Sequence, residues 1–172
     1  MMRLDDTIAA IATPLQPAGL GVIRVSGTEA VSIVEPLFKG AGRTLRKAET
    51  NKLVHGWIHD DAKLIDQVLV VVMRAPHSYT TEDVVEIQCH GSPFVLRSIL
   101  DLVLGQGARL AEAGEFTQRA FLHGRLDLTQ VEAVADLIHA DSDVGAKVAA
   151  QQLHSKLFHA IEAVKKKVVS VA

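Results

Sequence analysis

Along the chain the spacing of apolar residues switches between the period of a strand and that of a helix, with glycine or proline at most switches. Residues 6–13, Asp-Thr-Ile-Ala-Ala-Ile-Ala-Thr, read as a strand stopped by Pro14. A Pro/Gly turn over 15–19 leads to a second strand over 21–25, so the pair reads as a hairpin with a longer loop. Ser26-Gly27-Thr28 then opens a helix in which Ala30, Ile33, Val34 and Leu37 recur at helical spacing, and Pro36 ends or kinks it. Residues 39–51, with Gly40, Gly42 and mixed charge, read as a surface loop.

Strands are expected over 53–58, turning through His59-Asp60-Asp61, and over 65–73, where apolar residues on both faces predict a central strand. A loop over 75–79 precedes a strand over 83–90, broken by Gly91-Ser92-Pro93. Residues 94–104 form an amphipathic helix, Val95, Ile99 and Val103 lying beside Leu96 and Leu100, and Gly105 and Gly107 end it. A short strand is expected around 109–112, and only helices from Gly114 onward. One spans 115–123. The next is capped by Asp127 or Thr129 and runs to about Ala140. After a break at Asp141-Ser142-Asp143, the last carries its apolar stripe from Val144 to Val171.

The predicted fold class is α+β: a mixed β-sheet with flanking helices over residues 1–118, then helices of a helical domain over 119–172. That final stripe needs partner helices, so the sequence reads as cut through a helical domain.

Composition narrows the function. The 172 residues are 48% hydrophobic, enough for a core, but the formal net charge is only -2, which gives no electrostatic footprint for wrapping a nucleic acid. Any grip on RNA phosphates must come mostly from elsewhere. Cys89 is the single cysteine, so neither an intrachain disulfide nor a zinc framework is available. Asp5 and Asp6 stand where a signal peptide needs basic and then apolar residues, and Val68–Met73 is too short for a membrane span. A soluble, cytoplasmic protein with no membrane partner is expected.

Strand alternation places Val85, Ile87 and Cys89 on one face and Glu86, Gln88 and His90 on the other. Arg24 shares a face with Val22, opposite Ile23 and Val25. A polar row beside buried strands reads as a pocket wall or as a solvated edge, and residue type alone favours the edge. Cys89 and His90 point to opposite faces and cannot act as nucleophile and base together. The eight histidines have no zinc-type spacing, and Lys165-Lys166-Lys167 reads as a solvated helix face.

Four segments stand out: Asp6-Thr7-Ile8 through Gly21-Val22-Ile23-Arg24-Val25-Ser26-Gly27; Ser78-Tyr79-Thr80-Thr81-Glu82-Asp83 through Glu86; Cys89-His90-Gly91; and Gly114-Glu115-Phe116-Thr117-Gln118-Arg119-Ala120-Phe121-Leu122 with Asp127-Leu128. In this order and spacing the chain closely resembles the MnmE (TrmE) family of tRNA-modifying GTPases, from about Asp6 to about Ser142. The resemblance implies an N-terminal domain like the folate-binding aminomethyltransferases, a helical domain, and a GTPase domain inserted in the helices. It implies a homodimer that binds 5-formyltetrahydrofolate or another one-carbon tetrahydrofolate. With the flavoprotein MnmG (GidA), such an assembly places an aminomethyl-type group on the wobble uridine of tRNA.

By the same resemblance Arg24, Glu86 and Arg125 are cofactor-binding positions. A pterin offers an N–H and an amino group side by side to the Glu86 carboxylate, and a guanidinium can hold a ligand carbonyl or carboxylate. Arg125 stands where the family has lysine, which turns a point donor into a planar fork; otherwise it is a helix-terminal cation beside Asp127. Thr81 and Ser92 replace usual glycines, Ala113 a proline and His123 an asparagine. No Gly-x-x-x-x-Gly-Lys-Ser/Thr loop occurs, nor the family's C-terminal Cys-x-Gly-Lys, so GTP, Mg and K sites and GTP hydrolysis are not expected of these residues. Two alternatives remain: a dimerisation and docking domain without functional folate binding, and a free-standing aminomethyltransferase-like enzyme. Short length and the missing second domain speak against the latter.

Overall fold

Strand β1 (Ile8–Ile11) pairs antiparallel with β2 (Ala18–Ser26), with Ile8 opposite Ser26 and Ile11 opposite Ile23. This is the expected hairpin, drawn from a computed structural model that describes residues 6–154 apart from 41 and 43. Helix α1 (Ala30–Val34) follows and passes into a 3₁₀ turn over Glu35–Leu37. Pro36 causes that change, because its ring nitrogen cannot donate to a preceding helical carbonyl.

The segment expected as a loop contains a short strand, β3 (Phe38–Gly40), and a 3₁₀ turn over Leu45–Lys47. β3 pairs with β4 (Leu53–Asp60), which turns at Asp61 into β5 (Lys63–Met73). β6 (Val84–Gly91), helix α2 (Pro93–Gly105) and β7 (Arg109–Leu110) complete a seven-stranded sheet in the order β3-β4-β5-β6-β2-β1-β7. All pairings are antiparallel except β1 with β7, so the sheet is mixed and the fold class is α+β as expected.

Helices α1 and α2 cover one face of the sheet. Ile23 and Val25, Val68, Val70 and Val72, and Val85, Ile87 and Cys89 point into this layer, against Leu96, Ile99 and Val103 of α2. Burying such a branched apolar side chain stabilises the fold by about 1.5–3 kcal/mol each. β5 is an interior strand, but only this face of it is sealed; Leu69, on the other, is 38% exposed. The apolar residues on both faces therefore correctly predicted an interior position and overstated the burial. Gly91 sits where β2 bulges between Ala18 and Gly21, and a Cβ there would lie 2.7 Å from the Ala18 carbonyl oxygen. No side chain fits that approach.

Helix α3 (Glu115–Leu122) carries the chain across the division between two compact units, Met1–Arg119 and Ala120–Ala172. In the second unit α4 (Leu128–Ile138) and α5 (Asp143–Leu153) pack together and bury Ala133 and Ala149. Asp127, not Thr129, caps α4: its carboxylate accepts from the Gln130 amide at 2.8 Å, and Gln130 Oε1 accepts from the Asp127 amide at 3.0 Å. Gln130 Nε2 donates to the Leu153 carbonyl at 2.9 Å, tying the start of α4 to the end of α5. Ser142 caps α5. The expected stripe from Leu157 to Val171 and the lysine trio lie outside the described residues. No described helix is long and apolar enough to cross a membrane.

Candidate functional site

Arg24 on β2 and Glu86 on β6 are register partners, and strand alternation turns both away from the helix-covered face. Nε and Nη2 of Arg24 each lie 2.7 Å from the same carboxylate oxygen, Oε1 of Glu86. The pair is partly open, with 27% of the arginine and 19% of the glutamate side chain exposed. Two of the three residues expected to bind a cofactor are thus in direct contact. The third is placed differently: Arg125 lies in the turn between α3 and α4 in the second unit, its side chain exposed and its amide donating to the Ala120 carbonyl at 2.9 Å.

Two aromatic rings flank the arginine. Cζ of Arg24 stands 5.4 Å from the centre of the Tyr79 ring and 5.5 Å from that of Phe116. These are cation–π distances. Tyr79 belongs to the loop before β6 and Phe116 to α3, and the Tyr79 hydroxyl meets Thr117 Oγ1 at 3.0 Å. The sequence pointed to the segments holding these residues but not to their convergence on Arg24.

Behind the rings lies a buried ionic cluster. Arg119, fully buried, donates through Nη1 to the Asp6 carbonyl at 2.7 Å and to Glu82 Oε1 at 3.1 Å. Through Nη2 it donates to Asp6 Oδ1 at 2.5 Å and to Glu115 Oε1 at 3.0 Å. Glu82 Oε2 accepts from Ser26 Oγ at 2.6 Å, and Ser26 also meets Thr80 Oγ1 at 2.6 Å. Arg109 joins from β7, reaching Asp6 and Glu115 at 2.6 Å each. The cluster binds the start of β1, the end of β2, the 78–83 loop and α3 to one another.

The charges set the titration of the cluster. The Arg109 hydrogen bond, helped by Arg119 against the cost of burial, holds the Asp6 carboxyl below its ordinary value. Burial works to raise Glu115, but hydrogen bonds from Arg109, the Glu112 amide and Arg119 outweigh it and hold that carboxyl down too. Both arginines are correspondingly harder to deprotonate: Arg109 through Glu115 and then Asp6, and Arg119 because its bonds to Asp6, Glu115 and Glu82 outweigh its burial. This cluster is structural in geometry: its carboxylates and guanidinium groups bond chiefly to one another, with Arg119 Nε the one buried donor in it left without a partner. The signal for it was the i,i+4 pair Glu115/Arg119.

Further along the same sheet face, a shallow groove of about 290 Å³ is lined by Leu20, His55, Gln67, Leu69, Gln88 and His90 among others. His90 Nδ1 pairs with Asp66 Oδ1 at 2.7 Å, and Asp66 Oδ2 accepts from the His90 amide at 2.8 Å. Cys89 points the other way into the core, its thiol 3.6 Å from the Gly21 carbonyl. Burial, and secondarily Asp66, pushes that thiol up to about 12, so it is a buried small side chain and not a nucleophile. No group of three metal-ligating side chains occurs among the described residues.

A family model described as "GTP-binding protein TrmE N-terminus" matches residues 7–125. The chain is 49% identical over 171 residues to the tRNA modification GTPase MnmE of Carboxydothermus hydrogenoformans, covering 98% of this chain and 37% of that protein. It is 46% identical over 171 residues to the protein of the same name from Clostridioides difficile, covering 99% and 37%. For the one from Bacillus velezensis the figures are 48% over 155 residues, covering 88% and 34%. The chain therefore spans little more than a third of the length of these relatives. With the match running through the whole sheet and into the turn after α3, the chain belongs to the TrmE N-terminal family.

Proposed function

We propose that this chain is the folate-binding, dimer-forming N-terminal part of a protein that modifies the wobble uridine of tRNA in the cytoplasm, acting with an MnmG-type flavoprotein. Residues 1–118 form the folate-binding and dimerising domain on this reading, and 119–172 the beginning of a helical domain. The observation that carries it is the Arg24–Glu86 pair, a partly open cation and carboxylate at two positions where the family resemblance implies folate contacts.

The donor and acceptor set suits one edge of a one-carbon tetrahydrofolate such as 5-formyltetrahydrofolate. Both Arg24 contacts fall on Oε1 of Glu86, so Oε2 is the oxygen that takes a pterin N–H or amino group. Nε and Nη2 of Arg24 are engaged, and Nη1 is the donor for a ligand carbonyl or carboxylate. Arg125, in the second unit, is carried as a third candidate position by the family resemblance alone. The folate would supply the one-carbon unit, while these residues bind and orient it. GTP hydrolysis, with its Mg and K, belongs on this reading to a GTPase domain of the full-length protein, since the sequence here has no phosphate loop.

The second reading, dimerisation and partner docking without folate, also has support. Leu20, Leu53 and Leu69 are 55%, 55% and 38% exposed, and strand alternation puts them on the uncovered sheet face. Calorimetric titration of the chain with 5-formyltetrahydrofolate decides between the two. One saturable site that is severely weakened by Arg24→Ala and by Glu86→Ala supports folate binding. A folded dimer without heat of binding supports docking alone.

A further inference from the structure

We propose that Tyr79 and Phe116 are positioning residues for Arg24: together they fix the plane of its guanidinium, so that Nη1 is presented as the donor to a ligand acceptor. The identity of that ligand rests on the folate reading above; the positioning does not.

An arginine paired to a single carboxylate oxygen keeps freedom to swing about that oxygen. Here Nε and Nη2 share Oε1 of Glu86, which fixes a point and not a plane. Ring faces at 5.4 and 5.5 Å supply the missing restraint, because a guanidinium is attracted to the negative face of a ring and stacks upon it.

The rings themselves are held from behind. Ser78 Oγ donates to the Glu82 carbonyl at 2.6 Å, and Glu82 bridges Ser26 and Arg119, which fixes the loop carrying Tyr79. Phe116 follows Glu115 in α3, and Glu115 is fully buried against Arg109 and Arg119. The Tyr79–Thr117 bond joins the two supports. Such backing by fixed neighbours is what turns a flexible side chain into a preset donor.

The experiment has two readouts on the 172-residue chain. The Arg24 Nε–H signal, assigned by its loss in Arg24→Lys, is expected to be shifted upfield by the rings, with slow rotation about Nε–Cζ. Tyr79→Leu and Phe116→Leu should return it toward the position of a free arginine, while Phe116→Tyr, which keeps the ring and leaves the Tyr79–Thr117 bond in place, should not. In calorimetry with 5-formyltetrahydrofolate, each leucine variant should bind roughly ten-fold more weakly and Phe116→Tyr about as well as the parent. An unshifted Arg24 signal in the parent, or one indifferent to both leucine variants, overturns the positioning. Equal folate affinity in parent and leucine variants overturns it too, while leaving folate binding intact. If the parent binds no folate, the functional reading fails and the Arg24 signal alone decides the positioning.

Discussion

Arg119 and Glu115 meet at 3.0 Å one helical turn apart in α3, and both side chains are fully buried. Four of the five N–H groups of Arg119 are engaged, by the Asp6 carbonyl, Asp6 Oδ1, Glu82 and Glu115. Removing the arginine takes the cation from Glu82 and leaves the buried Glu115, with Asp6, to Arg109 alone. Arg119→Ala is expected to destabilise the first unit by about 3–5 kcal/mol. Arg109→Ala, at a side chain 38% exposed, should cost clearly less. Urea unfolding followed by far-ultraviolet dichroism ranks the two.

The same cluster predicts acid sensitivity. Asp6 and Glu115 are held below their ordinary values of 3.8 and 4.5, so the folded chain binds their protons less readily than the unfolded chain does. Their contribution is fully present above the unfolded values and is lost as the pH falls through the lower folded ones. The urea midpoint should hold steady from neutral pH to about 5 and drop steeply below 4. Glu115→Gln should start less stable and show a shallower acid decline.

Thr81 adopts φ of +64, a left-handed conformation that a β-branched residue resists. Thr81→Gly should stabilise the chain by about 0.5–1 kcal/mol, relief of strain exceeding the added freedom of the unfolded backbone. Thr81→Ala should give no such gain. Melting temperatures of the three proteins test this.

In the second unit Asp127→Ala removes one half of the capping box at the start of α4. The expected cost is about 1 kcal/mol, felt locally. Amide exchange at Gln130, whose N–H loses its acceptor, should quicken more than exchange in the middle of the helix.

The alternating faces of β2 and β6 were legible in the sequence because a two-residue period assigns every side chain at once: Ile23, Val25, Val85 and Ile87 inward, Arg24 and Glu86 outward. β3 was not. Three residues ending in Gly40 carry no period, and what makes them a strand is pairing with residues 56–58 of β4. The pair Glu115/Arg119 was visible as opposite charges four apart, yet its burial depends on Asp6, 113 positions from Arg119, and on Glu82, 37 positions away. The aromatic flank of Arg24 depends likewise on a loop and a helix that only the completed fold brings together. Arg125, which departs from the family's lysine, falls in the other unit.

β1 is flanked on one side by β7, to which Ile8 and Ala9 are paired through Arg109 and Leu110, and Asp6 just ahead of it is held by Arg109 and Arg119. The earliest described part of the chain is therefore secured by some of the last residues of its unit. During synthesis β2 follows β1 directly, but the outer edge of β1 stays bare until residues 109–110 of β7 have left the ribosome. A nascent chain stalled before that point would carry an open strand edge, which is the kind of surface that invites pairing with a neighbour. The order in which this unit is made is the reverse of the order in which its ends become safe.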